Sequence, residues 1–334
     1  MADLASLTTL RVGGPAAELV VAETEEALVA AVRDAPGEVL VLGGGSNLLV
    51  ADEGVEGRVV AVRTRGVQAD ADACGGAVVR VAAGESWDEL AARAVAEGWV
   101  GAEALAGIPG LVGATPIQNV GAYGQEVAET VASVRCWDRR TRQVRTLFHR
   151  DCRFGYRTSL FKQDPGRYVV LEVVFQFRLG DLGAPVRYAE LAGRLGVELG
   201  ERAPAADVRE AVLDLRRGKG MVLDAADHDT WSAGSFFTNP VVPADQVPDG
   251  APSWPAADGL AKTSAAWLIE HAGFGKGYGN DRAALSGKHT LALTNRGGAT
   301  AADLVALARE VRDGVAARFG VTLVNEPVLV GLTL

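Results

Sequence analysis

Histidine and cysteine are scarce in this sequence of 334 residues, which contains 4 histidines and 3 cysteines. The odd number of cysteines and the absence of a CxxC spacing argue against a disulfide framework and against a zinc site. We therefore expect Cys74, Cys136 and Cys152 to be reduced and structural. The histidines form neither an HxH nor an HxxxH pattern, so the sequence predicts no metal site.

Long apolar runs and an excess of positive charge are also lacking. No stretch approaches the length of a membrane-spanning helix, and the N-terminus lacks the basic start and apolar stretch of a secretory signal. The net charge of −9 disfavours binding to nucleic acid or to an anionic membrane, although a local basic pocket for a small anion remains open. We expect a cytoplasmic protein that neither enters a membrane nor binds nucleic acid.

Strand and helix patterns are both present without an internal repeat, which predicts an α+β fold. Thr24 and a capping box of Ser86 with Glu89 predict the starts of two helices that end near residues 34 and 98. A second capping box, Asp207 with Glu210, predicts the start of a third helix. Further helices are expected at 264–272 and 300–319, and strands at 38–42, 58–62, 77–82, 131–137, 144–148, 168–179, 290–294 and on both sides of 325–327.

Two glycine-rich segments interrupt these patterns. The first, "GGGSNL" at 43–48, follows a predicted strand and could cradle a phosphate with backbone N–H groups, or form only a tight structural turn. The second, at 107–124, could wrap a flat cofactor through its main chain and the carboxamides of Gln118 and Asn119, or be a surface loop. Neither segment fits the Rossmann or the P-loop spacing. Together they suggest a large phosphorylated cofactor.

Several shorter motifs carry groups that are capable of chemistry. "CRFGYRTSLFK" surrounds Arg157 with aromatic residues, which favours either an anion site or cation–π packing. Arg216 and Lys219 close a predicted helix, where cations also serve as helix caps. Ser235 in "GSFFTNP" has no histidine in its own stretch to activate it, so it is either structural or not a nucleophile. Glu326 in "VNEPVLVG" is either a functional carboxylate or a turn residue, and the sequence favours neither interpretation.

Five motifs occur in the order typical of one enzyme family: "LGGGSNLL", "AGIPGLVGATPIQNVGAYGQE", "FGYRTSLFK", "GSFFTNP" and "NEPVLVG". From Leu10 to Gly331 the chain resembles the UDP-N-acetylenolpyruvoylglucosamine reductases, flavoproteins that make UDP-N-acetylmuramate for peptidoglycan. The resemblance implies two FAD-holding domains of the vanillyl-alcohol oxidase type and a third domain that binds the nucleotide sugar. We expect FAD-binding subdomains at 1–64 and 65–215, the latter with a substrate-loop insertion at 180–204. The substrate-binding domain is then 216–334, and its last strand could return to the FAD domains.

The resemblance also assigns roles to individual residues. Noncovalent FAD is expected on Gly43, Gly44, Gly45, Ser46, Asn47, Leu48, Ile108, Gly110, Gly113, Ala114, Gln118, Asn119, Gly121 and Arg216. The substrate, UDP-N-acetylglucosamine enolpyruvate, is expected on Tyr123, Tyr156, Tyr188, Lys219 and Asn239. Tyr188 lies in the 180–204 insertion, which marks the long form of the family.

The family's reaction, as the resemblance implies it, uses NADPH as co-substrate. Hydride passes from NADPH through FAD to the far carbon of the enolpyruvyl double bond, which leaves an enolate at the carboxylate end. Arg157 and Glu326 match the enolate-stabilising pair, and Ser235 matches the proton donor. A serine hydroxyl is a very weak acid, so only a strongly basic, carbanion-like centre can take its proton. The resemblance thus predicts a monomeric flavin-dependent oxidoreductase that serves cell wall biogenesis, and through it cell shape and division.

Two alternative functions remain open. An FAD-dependent oxidase of the same superfamily is weakened because no histidine precedes His149, and covalent flavin attachment in such oxidases usually uses a histidine or a cysteine. A nucleotide-sugar-binding protein without redox activity is weakened by the joint presence of Arg157, Ser235 and Glu326.

Two departures from the family pattern concern the substrate side. The spacing from Lys219 to Ser235 is longer than in some long-form members, because "VLDAADHDTWSA" fills it. Either Lys288 or His289 could take the place of a glutamine that some relatives use to contact the substrate.

Overall fold

The computed structural model describes residues 2–72 and 74–334. Within these ranges the chain forms the helices α1 (Glu25–Arg33), α2 (Trp87–Ala96), α3 (Leu160–Gln163), α4 (Ala189–Leu195), α5 (Ala205–Gly218), α6 (Ala265–His271) and α7 (Ala301–Phe319). Short 3-10 turns lie between several of them, among others at Glu103–Leu105 and Val112–Ala114. The mixture of helices and strands confirms the predicted α+β class.

The strands are short apart from four that run for 8 residues or more. In chain order, the strands of the described residues are β1 (Ala2–Asp3), β2 (Pro15–Ala22), β3 (Val39–Leu42), β4 (Leu48–Val50), β5 (Val55–Val62), β6 (Val67–Asp72), β7 (Gly76–Ala82), β8 (Trp99–Val100), β9 (Gly121–Ala122), β10 (Gln125–Glu126), β11 (Val131–Asp138), β12 (Gln143–Phe148), β13 (Tyr168–Leu179), β14 (Val241–Pro243), β15 (Ser253–Pro255), β16 (Leu260–Thr263), β17 (Ala283–Leu285), β18 (Leu293–Asn295) and β19 (Val328–Val330).

Side-chain caps explain where four of the helices begin. The hydroxyls of Thr24, Ser86, Ser264 and Thr300 each accept a hydrogen bond from the backbone N–H three residues on, at 3.2 to 3.4 Å. Such a bond satisfies one of the N–H groups that a helix start leaves without an intrahelical partner. The predicted helices near 24–34, 86–98, 264–272 and 300–319 are therefore confirmed, as are the predicted strands from 38–42 to 168–179.

Three predictions about the last third of the chain are wrong in detail. Helix α5 begins at Ala205, so Asp207 lies inside its first turn and does not cap it. The strand expected at 290–294 is β18, which begins only at Leu293 because the preceding residues form a turn in which Ala292 N–H donates to His289 O at 3.0 Å. Of the two strands expected around 325–327, the one after it forms as β19, and the residues before it make a single bridge between Asn325 and Phe237.

The chain divides into two compact units. The first unit consists of the chain up to Ala17 together with Gly45–Val55 and Gly218–Leu334, and the second unit consists of Glu18–Gly44 and Glu56–Arg217. The division into three domains at residues 64 and 215 stays a prediction.

The second unit is built around an antiparallel sheet with the strand order β12-β11-β13-β7-β6. Helix α2 buries Trp87, Leu90 and Ala91 in the same core as the sheet residues Phe175 and Phe177, all at most 3% exposed. The Trp87 and Phe175 rings lie 6.0 Å apart. Strand β3 pairs in parallel with β5 at one side of this unit. The first glycine-rich segment follows directly on β3 of this unit.

The first unit packs α7 against α6 and the hairpin of β17 and β18. The predicted apolar stripe of α7 is buried in this core, with Leu304, Leu307, Ala308, Val311 and Val315 at most 6% exposed. Strand β19 pairs in parallel with β4, so that Val328 lies opposite Leu48. The pairing brings the segment after Glu326 beside the end of the first glycine-rich segment.

The structure tests two further predictions: that the cysteines are reduced and structural, and that no helix spans a membrane. Cys136 and Cys152 are buried, and burial raises the pKa of their thiols to about 11 and about 12, so both are inert core residues. Cys74 is not disulfide bonded either, but it is exposed and adds nothing to the core. Among the helices of the described ranges, none combines the length and the apolar character of a membrane span.

A buried ion pair in the second unit yields a stability prediction. Asp138 is fully buried, and hydrogen bonds from Arg167, at 2.9 and 3.1 Å, hold the pKa of its carboxyl well below the usual range. We expect Asp138→Asn to lower the free energy of unfolding by about 3 kcal/mol at pH 7, since it removes the buried charge that pairs with Arg167, although Arg167 still pairs with the partly exposed Asp164 at 3.2 Å. Urea unfolding measures this change, and Asp70→Asn, at an exposed strand residue, is a control expected to change it by less than about 0.5 kcal/mol.

The same pair predicts a pH dependence. A carboxyl with a depressed pKa in the folded state contributes stability that is fully present above its unfolded pKa of about 3.9. That contribution is lost as the pH falls toward the lower folded pKa of Asp138. The free energies of unfolding of wild type and Asp138→Asn should therefore differ most at pH 7, and the difference should shrink below about pH 4. A difference that stays constant from pH 7 to below about pH 4 would contradict the assignment.

Candidate active site

The two glycine-rich segments lie side by side in the second unit. A Cβ atom added to Gly44 would lie 2.8 Å from the Cα of Gly110, and one added to Gly43 would touch Ala114 and Leu111 at 3.9 Å. Backbones approach this closely only where side chains are missing. The main chains of the two glycine-rich segments are therefore in direct contact at Gly44 and Gly110.

The rest of the first segment belongs to the first unit. Gly45 has φ +63°, and a Cβ there would meet the carbonyl of Leu7 at 1.9 Å, so only glycine fits. Asn47 then reaches the strand that follows Glu326: its side chain donates to Glu326 O at 3.4 Å, and its own carbonyl accepts from Val328 N–H at 2.9 Å. Asn47 is thereby placed next to Glu326, one of the predicted catalytic residues, and Leu48 lies opposite Val328.

The second segment is held against the start of α2 and the end of β7. Asp88 accepts from Gly107 N–H at 2.6 Å, and Gly113 N–H donates to Ala83 O at 2.9 Å. A Cβ on Gly113 would lie 2.5 Å from that of Ala83. Ile108 packs partly buried on the core of the unit. The irregular backbone of residues 107–114 is therefore fixed by the protein itself.

The side chain of Arg157 contacts the later part of this segment. Its Nη2 donates to Gly121 O at 2.6 Å, its Nη1 reaches Asn119 O at 3.5 Å, and the guanidinium carbon lies 5.4 Å from the centre of the Tyr156 ring. A Cβ on Gly121 would lie 2.9 Å from Nη1. The predicted anion-binding guanidinium is thus positioned by the main chain of the segment that was predicted to wrap the flavin.

The side chain of Asn119 forms hydrogen bonds within the protein. It is fully buried, its Nδ2 donates to Glu126 Oε2 at 2.7 Å and to Gly155 O at 3.1 Å, and its Oδ1 accepts from Ala128 N–H at 3.1 Å. The side chain ties residues 119–128 to the segment that carries Arg157. Direct contacts of Asn119 and of the half-buried Gln118 with the cofactor stay predictions.

Three further predicted residues cluster in the second unit. The rings of Tyr123 and Tyr188 meet edge to face with centres 5.4 Å apart. Burial raises the pKa of Tyr123 to about 12, which the nearby Arg216 opposes. Arg216 is itself buried, and burial lowers the pKa of its guanidinium, while Tyr123 and Asp88 act in the opposite direction. The phenol of Tyr123 therefore stays neutral at physiological pH beside a desolvated cation.

Ser235 and Glu326 lie on adjacent segments of the first unit. Glu326 N–H donates to Phe236 O at 2.8 Å, and Thr238 N–H donates to Val324 O at 3.0 Å, which pairs the two segments. Phe236 and Phe237 are 1% exposed and anchor the stretch in the core, whereas Ser235 is half-buried. The two phenylalanines of "GSFFTNP" thus anchor the stretch that carries Ser235, and this stretch is paired with the segment that carries Glu326.

The remaining predicted residues also fall in the first unit. Asn239 accepts from Ala265 N–H at 2.9 Å through its Oδ1, which fixes the orientation of its amide. Lys219 is half-buried directly after α5. Lys288 forms an ion pair with Asp227 at 2.5 Å, in the stretch that lengthens the spacing between Lys219 and Ser235. That pairing gives Lys288 a structural partner, and the choice between it and His289 for the substrate stays open.

Glu103 was not predicted from the sequence. It is fully buried and accepts hydrogen bonds from Gly101, Gln125 and Ala184. A glutamate in a loop gives no sequence signal of burial, since its donors come from residues up to 81 positions away.

The contact of Gly44 with Gly110 yields a prediction on cofactor binding. Gly44→Ala would push a methyl group into backbone that cannot move aside cheaply, so we expect a loss of about 1–3 kcal/mol in stability and a largely flavin-free protein. Thermal unfolding and the flavin absorbance per protein measure both effects. Gly37→Ala is the matched control, because a Cβ there meets nothing within 4 Å. A fully loaded, equally stable Gly44→Ala protein would contradict the assignment.

Comparison with known families gives the class of the protein. Residues 16–147, which include Gly43, Gly44 and the second glycine-rich segment, match the FAD binding domain family. Residues 226–330 match the C-terminal domain of UDP-N-acetylenolpyruvoylglucosamine reductase. The fold and the glycine-lined site therefore define an FAD-dependent oxidoreductase.

Whole-chain relatives give the particular family. A UDP-N-acetylenolpyruvoylglucosamine reductase of Cutibacterium acnes is 60% identical over 99% of this chain and 90% of its own length. Another, of Saccharopolyspora erythraea, is 57% identical over 99% of this chain and 95% of its own. The crystal structure of the Thermus caldophilus enzyme of this name, 28% identical, superimposes with a TM-score of 0.69 over 98% of this chain and 97% of its own. The chain belongs to the UDP-N-acetylenolpyruvoylglucosamine reductase family.

Proposed function

We propose that this protein catalyses the NADPH-dependent reduction of UDP-N-acetylglucosamine enolpyruvate to UDP-N-acetylmuramate, as a cytoplasmic monomer that serves peptidoglycan synthesis. The observation that carries the proposal is the pairing of the Ser235 and Glu326 segments, which places a hydroxyl and a carboxylate on neighbouring backbone. Family membership supports the same reaction. Effects on cell wall biogenesis, cell shape and cell division follow from the supply of this product.

FAD is the cofactor in this proposal, and the glycine-rich segments hold it. When bound, FAD carries two electrons as hydride from NADPH to the enolpyruvyl double bond. The close approach of Gly44 to Gly110 supports a diphosphate site of main-chain N–H groups there. The holding residues are those predicted: Gly43, Gly44, Gly45, Ser46, Asn47, Leu48, Ile108, Gly110, Gly113, Ala114, Gln118, Asn119, Gly121 and Arg216.

Arg157 and Glu326 stabilise the enolate that hydride addition leaves on the substrate. The guanidinium of Arg157 is already oriented by the carbonyls of Gly121 and Asn119, so little reorganisation is needed when negative charge develops. Glu326 contributes only if it carries or shares a proton, since a bare carboxylate would repel an enolate. A protonated Glu326 donates a hydrogen bond to the developing enolate.

Ser235 delivers the final proton to carbon. Its hydroxyl is too weak an acid to protonate an ordinary base, and the enolate carbon is basic enough to accept the proton. No histidine is needed beforehand, because the hydroxyl acts as an acid and not as a nucleophile. Solvent or a neighbouring group then restores the proton on oxygen.

In this proposal, two groups of side chains hold the nucleotide end of the substrate: the phenols of Tyr123, Tyr156 and Tyr188, and the polar side chains of Lys219 and Asn239. Neutral phenols donate hydrogen bonds to phosphate oxygens and stack with rings, and the lysine supplies a positive charge to the diphosphate. The proposed three-domain division assigns the first group to an FAD-binding subdomain and the second to the substrate-binding domain.

An anaerobic absorption experiment tests the proposal. NADPH should bleach the flavin of the purified protein, and UDP-N-acetylglucosamine enolpyruvate should then restore its colour without oxygen. A colourless protein would support a binding protein without redox activity. Bleaching that only oxygen reverses would support an oxidase of the same superfamily.

A further inference from the structure

Glu103 is a fully buried carboxylate in the turn Glu103–Leu105 of the second unit. Its Oε2 accepts from Gly101 N–H at 2.7 Å, and its Oε1 accepts from Gln125 Nε2 at 2.8 Å and from Ala184 N–H at 2.5 Å. The carboxylate of Glu103 can come this close because residue 183 is a glycine: a Cβ added to Gly183 would lie 3.0 Å from Oε1 of Glu103. The proposed reaction makes no use of this carboxylate.

The donors to Glu103 come from separate segments. Gln125 directly follows the glycine-rich segment at 107–124, and Ala184 lies near the start of the 180–204 segment. The amide of Gln125 cannot turn round, because its Oε1 accepts from Ala104 N–H at 2.9 Å, so its Nε2 must face the carboxylate. The geometry therefore requires an acceptor with two oxygens at position 103.

Burying a carboxylate costs several kcal/mol unless hydrogen bonds compensate for the lost water. An apolar side chain would pack at position 103 without that cost, but it would leave the N–H groups of Ala184 and Gly101 without an acceptor. Hydrogen bonds to a charged acceptor are about twice as strong as neutral ones. Glu103 thus binds the start of the 180–204 segment to the cofactor segment more firmly than packing would.

The segment that Glu103 holds carries Tyr188. Beyond Ala184, Arg187 donates to Glu129 at 2.9 Å and approaches Gly124 O at 3.5 Å, and Tyr188 meets Tyr123 edge to face. The segment is therefore attached near its base by a buried carboxylate, and at Arg187 and Tyr188 by more exposed contacts. The base is the attachment that water does not weaken.

We propose that Glu103 is a positioning residue, which orders residues 183–188 so that Tyr188 is presented to the substrate beside Tyr123. This inference rests on the proposed function, because the substrate role of Tyr188 belongs to it. Glu103 touches neither substrate nor cofactor in this account and acts through Tyr188.

The direct test is Glu103→Gln, which leaves one good acceptor for three donors. We expect the KM for UDP-N-acetylglucosamine enolpyruvate to rise about tenfold, while the rate of flavin reduction by NADPH changes less than about twofold. Backbone amide exchange of residues 183–188 should accelerate by about tenfold or more, in the protein without substrate. Equal losses in both half-reactions, or unchanged exchange, would overturn the proposal.

A double mutant separates positioning from general destabilisation. In a Tyr188→Ala background, Glu103→Gln should raise the KM by less than about twofold, because its effect passes through the missing ring. A further tenfold rise in that background would overturn the proposal. If Glu103→Gln does not fold, Gln125→Ala removes one of the donors and should accelerate exchange at 183–188 to a smaller extent; no acceleration would count against the proposal.

Asp138→Asn is the matched control, since Asp138 is a fully buried carboxylate of the same unit that accepts from the N–H groups of Arg140 and Thr141. It should lower stability and leave both the KM and the exchange at 183–188 unchanged. A KM rise equal to that of Glu103→Gln would show that destabilisation alone is responsible.

If the substrate does not reoxidise the reduced flavin of the wild-type protein, the proposed function is wrong. The exchange experiment then still decides whether Glu103 orders residues 183–188.

Discussion

Replacing Ser235 by alanine is expected to slow the reoxidation of the reduced flavin by UDP-N-acetylglucosamine enolpyruvate on the order of 10³-fold, since general acid catalysis contributes about 10²–10⁴-fold. Flavin reduction by NADPH should stay within about twofold of wild type, because that step needs no proton on substrate carbon. Phe236 and Phe237 anchor the stretch independently of the hydroxyl, so the fold should be kept. Anaerobic stopped-flow absorbance measures the two half-reactions separately.

The control for this experiment is Ser232→Ala, at a serine just before the stretch "GSFFTNP". Ser232 is buried and its hydroxyl accepts from Gly234 N–H at 3.2 Å, so its loss perturbs the loop without removing the proton donor. If Ser232→Ala slows substrate reoxidation as much as Ser235→Ala does, the serine hydroxyl is structural and the assignment of Ser235 is wrong.

Removing the guanidinium of Arg157 is expected to have the second largest effect. Arg157→Ala should slow substrate reoxidation by about 10²–10³-fold, the usual cost of losing a preorganised donor to a developing oxyanion. Arg157→Lys should recover part of that loss, because it keeps the charge but lacks the planar group whose two nitrogens reach Gly121 O and Asn119 O. Comparing the single-turnover rates of both variants with that of wild type measures the effect.

Arg150→Ala is the control for Arg157. Its side chain is 87% exposed and lies in the same part of the chain, so its removal changes the net charge equally without touching residues 119–121. A normal rate of substrate reoxidation in Arg157→Ala would contradict the role of the arginine, whatever the control does.

Local chemistry made the helices predictable from the sequence. Thr24, Ser86, Ser264 and Thr300 act as N-caps through bonds to the next turn, and such bonds depend on neighbours in sequence alone. Helix α5 shows that a capping pattern does not always locate the start of a helix. Its first helical hydrogen bond runs from Val208 N–H to the carbonyl of Pro204, at 3.0 Å. A proline that ends the preceding loop thus decided the start of the helix, and the capping pattern three residues later did not.

Short strands were predictable only where they pair over several residues. The strand expected before residue 325 has the right apolar residues, with Val321 and Leu323 buried, but Thr238 and Phe237 give it a partner at its end alone. Whether an apolar stretch becomes a strand depends on that distant partner.

The site was predictable where it depends on residue type and order. Glycines at 43–44 and 110 point to close backbone approach, and the structure brings them together in one unit. Glu103 could not be found in this way, because its role arises from Gln125 and Ala184, which only the fold brings near. Burial of a charge is a tertiary property with no local pattern.

The central claim is that this protein transfers two electrons from NADPH to the enolpyruvyl double bond. The most direct measurement is mass spectrometry of the sugar nucleotide after an anaerobic single turnover with NADPH-reduced protein. The account predicts a product heavier than the substrate by two hydrogen atoms, formed in an amount equal to the flavin that regains its colour. Unchanged sugar nucleotide, with flavin that regains its colour only when oxygen is admitted, would contradict it.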